Sequence, residues 1–143
     1  LAQMRAPVEM GKSELLYQGQ GVALMAVGSM VKTALEVRER LAAEGIDATL
    51  VNARFVKPID EEMVRALDRD HGLLVTMEEN VASGGFGEKV RDFADSQGLS
   101  VRILPVTIPD EYVEHGNVDL LKKEIGIDPD SIFDRIMKEL TKE

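Results

Sequence analysis

The sequence predicts an α/β domain in three layers: a mostly parallel sheet of about five strands, one antiparallel edge strand, and helices on both faces. Three observations point there. Short apolar runs bounded by glycine alternate with stretches of helical period from residue 22 to the end. The runs are continuously apolar, as in strands buried on both faces. Each strand returns through a helix, which is the parallel crossover connection.

The first core strand is read at Val22 to Val27, between Gly21 and Gly28-Ser29. Ahead of it, Ser13 to Tyr17 is expected to fold back through the Gln18 to Gly21 turn as its antiparallel neighbour. From Ser29 the period changes: Met30, Ala34, Val37 and Leu41 share one helix face, while Lys32, Glu36 and Arg40 stand at i,i+4 spacing on the other. Ser29 is expected to cap this helix and Gly45 to stop it.

A second strand is read over Ile46 to Asn52. Asp60 is then expected to cap a helix with Glu61 and Glu62 in its first turn and Met63, Val64 and Leu67 facing inward. Gly72 to Glu78 reads as the third strand, and the turn Ser83 to Gly87 leads into a helix carrying Phe86, Val90, Phe93 and Ala94. Leu99 to Val106 reads as the fourth core strand. A short helix is expected from about Asn117, and a last one has Asp128 as cap, Pro129 at its first position, and Ile132, Phe133, Ile136 and Leu140 as its stripe. The organisation is therefore an N-terminal segment, 1–20, with a possible edge strand, and one domain over 21–143, without internal repeats.

At 143 residues the chain is one domain's worth and buries enough surface for a core without staples. It contains no Cys, which removes disulfides, thiolate metal sites and cysteine nucleophiles. His71 and His115 are the whole histidine supply and are not spaced as paired ligands, so no metal site is expected. With 17 basic against 26 acidic residues the net charge is −9, which repels a nucleic-acid backbone. No apolar run reaches bilayer length and no signal-peptide layout opens the chain, so a cytoplasmic location away from membranes is expected. The start at Leu1 suggests a piece of something longer.

In an open parallel sheet, ligands and partners meet the carboxyl ends of the strands. The polar residues read there are Ser29, Arg54, Glu78, Glu79, Asn80 and, in the loop beyond the fourth core strand, His115. Gly28-Ser29 at a helix start suits an anion or a simple cap. Glu78 and Glu79 are adjacent at a strand end and so point to opposite faces, which disfavours a cooperating acid/base pair. Arg54 suits an internal ion pair with Glu78 or Glu79. His115 suits a base or plain polar surface. The turn at Gly84-Gly85-Phe86-Gly87 is neither GxGxxG nor a P-loop, and no nucleophile elbow exists. On residues alone a small phosphate-binding enzyme, a regulatory ligand-binding domain and a structural domain of a larger enzyme all stay open.

Three stretches narrow this: Val51-Asn-Ala-Arg-Phe-Val-Lys-Pro-Ile-Asp60; Leu74-Val-Thr-Met-Glu-Glu-Asn80 with Gly84-Gly85-Phe86-Gly87; and Ile108-Pro-Asp-Glu-Tyr-Val-Glu-His-Gly116. In order and spacing the chain, from about residue 8 onward, resembles the C-terminal domain of the 1-deoxy-D-xylulose-5-phosphate synthases. A looser form of the pattern is shared with transketolases and with 2-oxoacid dehydrogenase beta chains. A free-standing ligand-binding domain is the remaining alternative. The resemblance implies a homodimeric parent enzyme using thiamine diphosphate and magnesium to join pyruvate to glyceraldehyde 3-phosphate with loss of carbon dioxide. In that family the cofactor is held by a Gly-Asp-Gly motif, which this sequence lacks. It therefore implies no catalytic, cofactor-binding or metal residue in this chain, and contacts to the remaining domains for Ser29, Arg54, Glu78, Glu79, Asn80 and His115.

Overall fold

The computed structural model describes residues 12–54, 58–79, 85–107 and 128–142. The strands are β1 (Glu14–Tyr17), β2 (Gly21–Ala26), β3 (Thr49–Asn52), β4 (His71–Met77) and β5 (Arg102–Val106). The helices are α1 (Met30–Ala43), α2 (Glu61–Asp70), α3 (Phe86–Ser96) and α4 (Pro129–Leu140). The sheet order is β1-β3-β2-β4-β5; β1 runs antiparallel to β3, and the other pairs are parallel. The expected three-layer α/β class, with one antiparallel edge strand, is what is found.

Alternation along the central strands divides the core between the two faces. Val22, Leu24 and Ala26 of β2 lie with Leu73, Val75 and Met77 of β4 under α1 and α4, which contribute Met30, Ala34, Val37, Leu41, Ile132 and Ile136. Ala23 and Met25 lie with Val51 and Leu74 under α2 and α3, which contribute Val64, Leu67, Phe86 and Val90. Both faces being covered is why β2 reads as an unbroken apolar run.

One expectation is corrected at the edge. β1 lies beside β3, not beside β2. Both sides of β2 are taken by β3 and β4, so the antiparallel strand goes to the open side of β3. The intervening turn is bound across the start of β3: Gly19 N–H donates to Thr49 Oγ1 at 2.8 Å and Gln20 N–H to the Asp47 carbonyl at 2.9 Å. Gly19 is required there, since a Cβ would lie 1.8 Å from the Asp47 carbonyl oxygen.

Elsewhere the differences are local. Arg40 binds Asp130 of α4 with its Nε and the Glu36 carbonyl with Nη1, so its ion pair joins two helices instead of running along one. The helix expected from Asn117 lies outside the described residues. Asp60 caps α2 as expected, its Oδ1 accepting from Met63 N–H at 3.1 Å. Pro129 opens α4, whereas Asp128, at its cap, makes no side-chain capping bond.

Candidate functional site

The register brings Glu14, Asn52, Ala26, Met77 and Val106 into one row across the sheet. This row is the carboxyl edge, because β1 runs the other way and begins where its neighbours end. The chain leaves β2 for β3 on one side and returns to β4 on the other, so the topological switch lies between the ends of β2 and β4. Val27 and Ser29 stand on one side of that switch, Glu78 and Glu79 on the other.

On the β3 side, Arg54 is held at φ +50°, a left-handed conformation uncommon outside glycine. Asn52 stabilises it by accepting the Arg54 N–H on Oδ1 at 3.1 Å. The guanidinium meets Glu14 Oε1 at 2.8 Å, and the two side chains keep only 14% and 18% of their exposure. The expected pairing of Arg54 with Glu78 or Glu79 is thus replaced: Glu14 stands across from Asn52 on the neighbouring strand, whereas β4 is separated from β3 by β2. Beside this pair, Asp60 Oδ2 accepts both the N–H and the hydroxyl of Ser13 at 2.8 Å, so one buried carboxylate serves α2 and the start of β1 together.

On the β4 side, Glu78 is buried and turned into the start of α3. Its Oε1 accepts Phe86 N–H at 2.9 Å and its Oε2 accepts Gly87 N–H at 2.6 Å. Those amides are among the donors a helix start leaves unpaired, and the helix dipole favours the negative charge. Gly87 is needed for the approach: a Cβ would come within 2.9 Å of Thr76 Oγ1 and 3.1 Å of Pro105 Cβ. Glu78 is therefore a helix cap and not a solvated strand end. Glu79, next in the chain, is half-buried.

At the switch, Gly28 takes φ +59° and Ser29 is exposed in a helical conformation with no side-chain capping bond. The expected Ser29 side-chain cap is absent because the turn supplies acceptors itself: Met30 N–H donates to the Val27 carbonyl and Val31 N–H to that of Gly28. Asn80 and His115 lie outside the described residues. His71 is a buried residue at the opposite edge, within 2.7 Å of Thr49 Oγ1 and 2.9 Å of the Leu67 carbonyl.

The site thus brings Arg54, Glu78, Glu79 and Ser29 to one edge. It adds Lys12, Ser13, Glu14 and Asp60, of which only Asp60 carries a sequence signal, as a cap. Among the described residues no group of three His, Asp or Glu side chains stands together to hold a metal ion. The carboxylates of Glu14, Asp60 and Glu78 hold a guanidinium or backbone amides, which is what a joint between elements requires.

Comparison with known proteins gives this edge its context. The sequence model described as the transketolase C-terminal domain matches residues 11–132. The chain belongs to that family. It is 51% identical over 132 residues to the 1-deoxy-D-xylulose-5-phosphate synthase of Lachnoclostridium phytofermentans, covering 90% of this chain and 21% of that protein. It is 42% identical over 133 residues to the synthase of Heliobacterium modesticaldum, covering 93% of this chain and 20% of that protein. The chain spans about a fifth of the length of these curated relatives. Among solved structures, a split-gene transketolase described as an inactive beta4 tetramer superposes with a TM-score of 0.85 at 31% identity, over 95% of this chain and 44% of that one. Among the described residues no helix is long and apolar enough to cross a membrane.

Proposed function

We propose that this chain is the C-terminal domain of a 1-deoxy-D-xylulose-5-phosphate synthase, and that it serves domain packing and dimerisation instead of catalysis. The 51% identity to a synthase carries the reading. The parent joins pyruvate to glyceraldehyde 3-phosphate and releases carbon dioxide, in the cytoplasm and as a homodimer. Thiamine diphosphate, bound with magnesium in the parent, supplies carbanion stabilisation. The residues of this chain do not fit that group: there is no Gly-Asp-Gly in the sequence and no metal-holding cluster among the described residues. No step of the reaction is assigned to them.

We assign contacts with the remaining domains to Ser29 and Glu79, at the switch on the carboxyl edge, and from the sequence reading alone to Asn80 and His115. Arg54 and Glu78 act on the same edge through the elements they hold. Reversing charge at Glu79 in the longer protein is expected to weaken domain or dimer packing; unchanged sedimentation and activity would remove Glu79 from that surface.

A second reading, the C-terminal domain of a transketolase, is favoured by the 31% identity to the split-gene enzyme. Two assays separate the readings, each run on the longer protein and on this chain with thiamine diphosphate and magnesium: one with pyruvate and glyceraldehyde 3-phosphate, the other with a ketose phosphate donor and an aldose phosphate acceptor. Deoxyxylulose phosphate from the longer protein alone is expected. Ketol transfer between sugar phosphates without carbon dioxide would establish the second reading, and product from the short chain would overturn the non-catalytic role.

A further inference from the structure

Three consecutive residues at the start of β1 are each tied to the carboxyl edge by side-chain bonds outside the sheet ladder. Lys12 Nζ reaches Glu62 Oε1 at 2.6 Å, Ser13 N–H and Oγ both reach Asp60 Oδ2 at 2.8 Å, and Glu14 Oε1 reaches Arg54 Nη2 at 2.8 Å. The partners sit on two separate elements, the exit of β3 and the start of α2. Arg54 faces Glu14 from a left-handed conformation that its neighbour Asn52 holds in place. Strain kept at one point, with a dedicated hydrogen bond to hold it, marks a position with a task. β1 is only four residues long and lies on the outside of the sheet, so its ladder alone is a weak hold on the chain.

A single tie would leave the backbone free to pivot; ties at three successive residues set its position and its direction. We propose that Lys12, Ser13 and Glu14 form a latch that fixes the direction in which the preceding polypeptide joins the carboxyl edge, and so the orientation of this domain against the one before it. Domains of one chain move relative to one another by default unless their interface is large and hydrophobic, and a fixed direction of the joining chain restricts that motion. The inference rests on the reading of the chain as the C-terminal part of a longer synthase. It adds to that reading an interdomain positioning role for three residues and their partners.

The test uses the longer protein carrying Ser13→Ala with Glu14→Gln, which leaves Asp60 Oδ1 on Met63 N–H and does not touch the core. One readout is tryptic cleavage of the Lys12–Ser13 bond. The other is the distance distribution, by pulsed electron paramagnetic resonance, between a label at Asp95→Cys, on the exposed side of α3, and one on the preceding domain. Cleavage is expected to quicken about tenfold, the local opening that follows loss of one hydroxyl bond and one charged bond, and the distribution to broaden. An equally narrow distribution in wild type and variant overturns the latch. If amide exchange shows that the core of the double variant has opened, Lys12→Gln with Ser13→Ala takes its place and is read by the distance distribution alone, since it no longer carries the tryptic site. Neither readout depends on turnover, so a wild-type protein that makes no deoxyxylulose phosphate counts against the synthase reading and leaves the latch to be judged by distance.

Discussion

The two ends of the sheet bury different chemistry. At the amino edge, Gly19 N–H donates to Thr49 Oγ1, which is 2.7 Å from His71 Nε2, while His71 Nδ1 is 2.9 Å from the Leu67 carbonyl. A carbonyl only accepts, so Nδ1 carries a proton toward Leu67, and Thr49 Oγ1 is the partner of Nε2. This buried run involves no carboxylate or guanidinium; the charged ties of the same edge, Arg38 to the Ala48 carbonyl and to Asp47, and Asp68 to the Ser100 and Val101 amides, lie nearer solvent. At the carboxyl edge the ties are charged: Glu78 to two helix amides, Asp60 to Ser13 and Met63, Arg54 to Glu14. A charged tie exceeds a neutral one in strength and leaves a larger penalty when half of it is removed. The amino edge therefore buries neutral bonds and keeps its charged ties nearer solvent, whereas the carboxyl edge buries its charged ties, so that their failure is felt locally and strongly.

That contrast can be broken from its strong side first. Glu78→Ala leaves the Phe86 and Gly87 amides without their acceptor and should destabilise the chain by about 3 kcal/mol or more, read by urea unfolding with loss of amide protection in α3. A loss below about 1 kcal/mol would mean that other groups cap α3 equally well. Arg54→Ala leaves the Glu14 carboxylate largely buried and should destabilise by about 2 kcal/mol, less than the value for a fully buried pair because both side chains keep some exposure. Arg54→Gly should lose less, since glycine relieves the left-handed backbone by several tenths of a kcal/mol.

At the amino edge, Thr49→Val removes the acceptor of Gly19 N–H and the hydrogen-bond partner of His71 Nε2. A loss of about 1–2 kcal/mol is expected, smaller than at Glu78, by the same unfolding measurement. Smallest is Glu139 near the end of α4. Its hydrogen bond to Lys142, with Arg102 and Arg135 nearby, holds its carboxyl below the usual range. A carboxylate depressed in the folded state adds stability above its unfolded pKa and loses it as pH falls through the folded value. Glu139 should therefore titrate by NMR below an ordinary glutamate, and Lys142→Ala should return it toward that value.

The sequence made the helix starts and the core strands legible because their signals are local. Asp60 stands three residues before Met63, where an apolar stripe begins, and Val22 to Ala26 form an unbroken apolar run. The partners at the carboxyl edge were not legible, because each depends on strand order. Arg54 meets Glu14 only because β1 crosses to β3, and that follows from which side of β3 is open. Glu78 could be read as a strand-end carboxylate, but its turn into α3 depends on where the start of α3 lies against β4, with Gly87 making room. Ser29 misled for a physical reason: a glycine-based turn already supplied the carbonyls that its hydroxyl would have replaced.

The most direct test of the central claim, that the charged residues of the carboxyl edge hold the domain together and do no chemistry, is kcat of the longer protein carrying Glu78→Gln, measured beside its unfolding temperature. The account predicts a lowered unfolding temperature with kcat of the folded enzyme within about twofold of wild type. A fall in kcat of about 10²–10⁴, the range for loss of an acid/base group, at an unchanged unfolding temperature would contradict it.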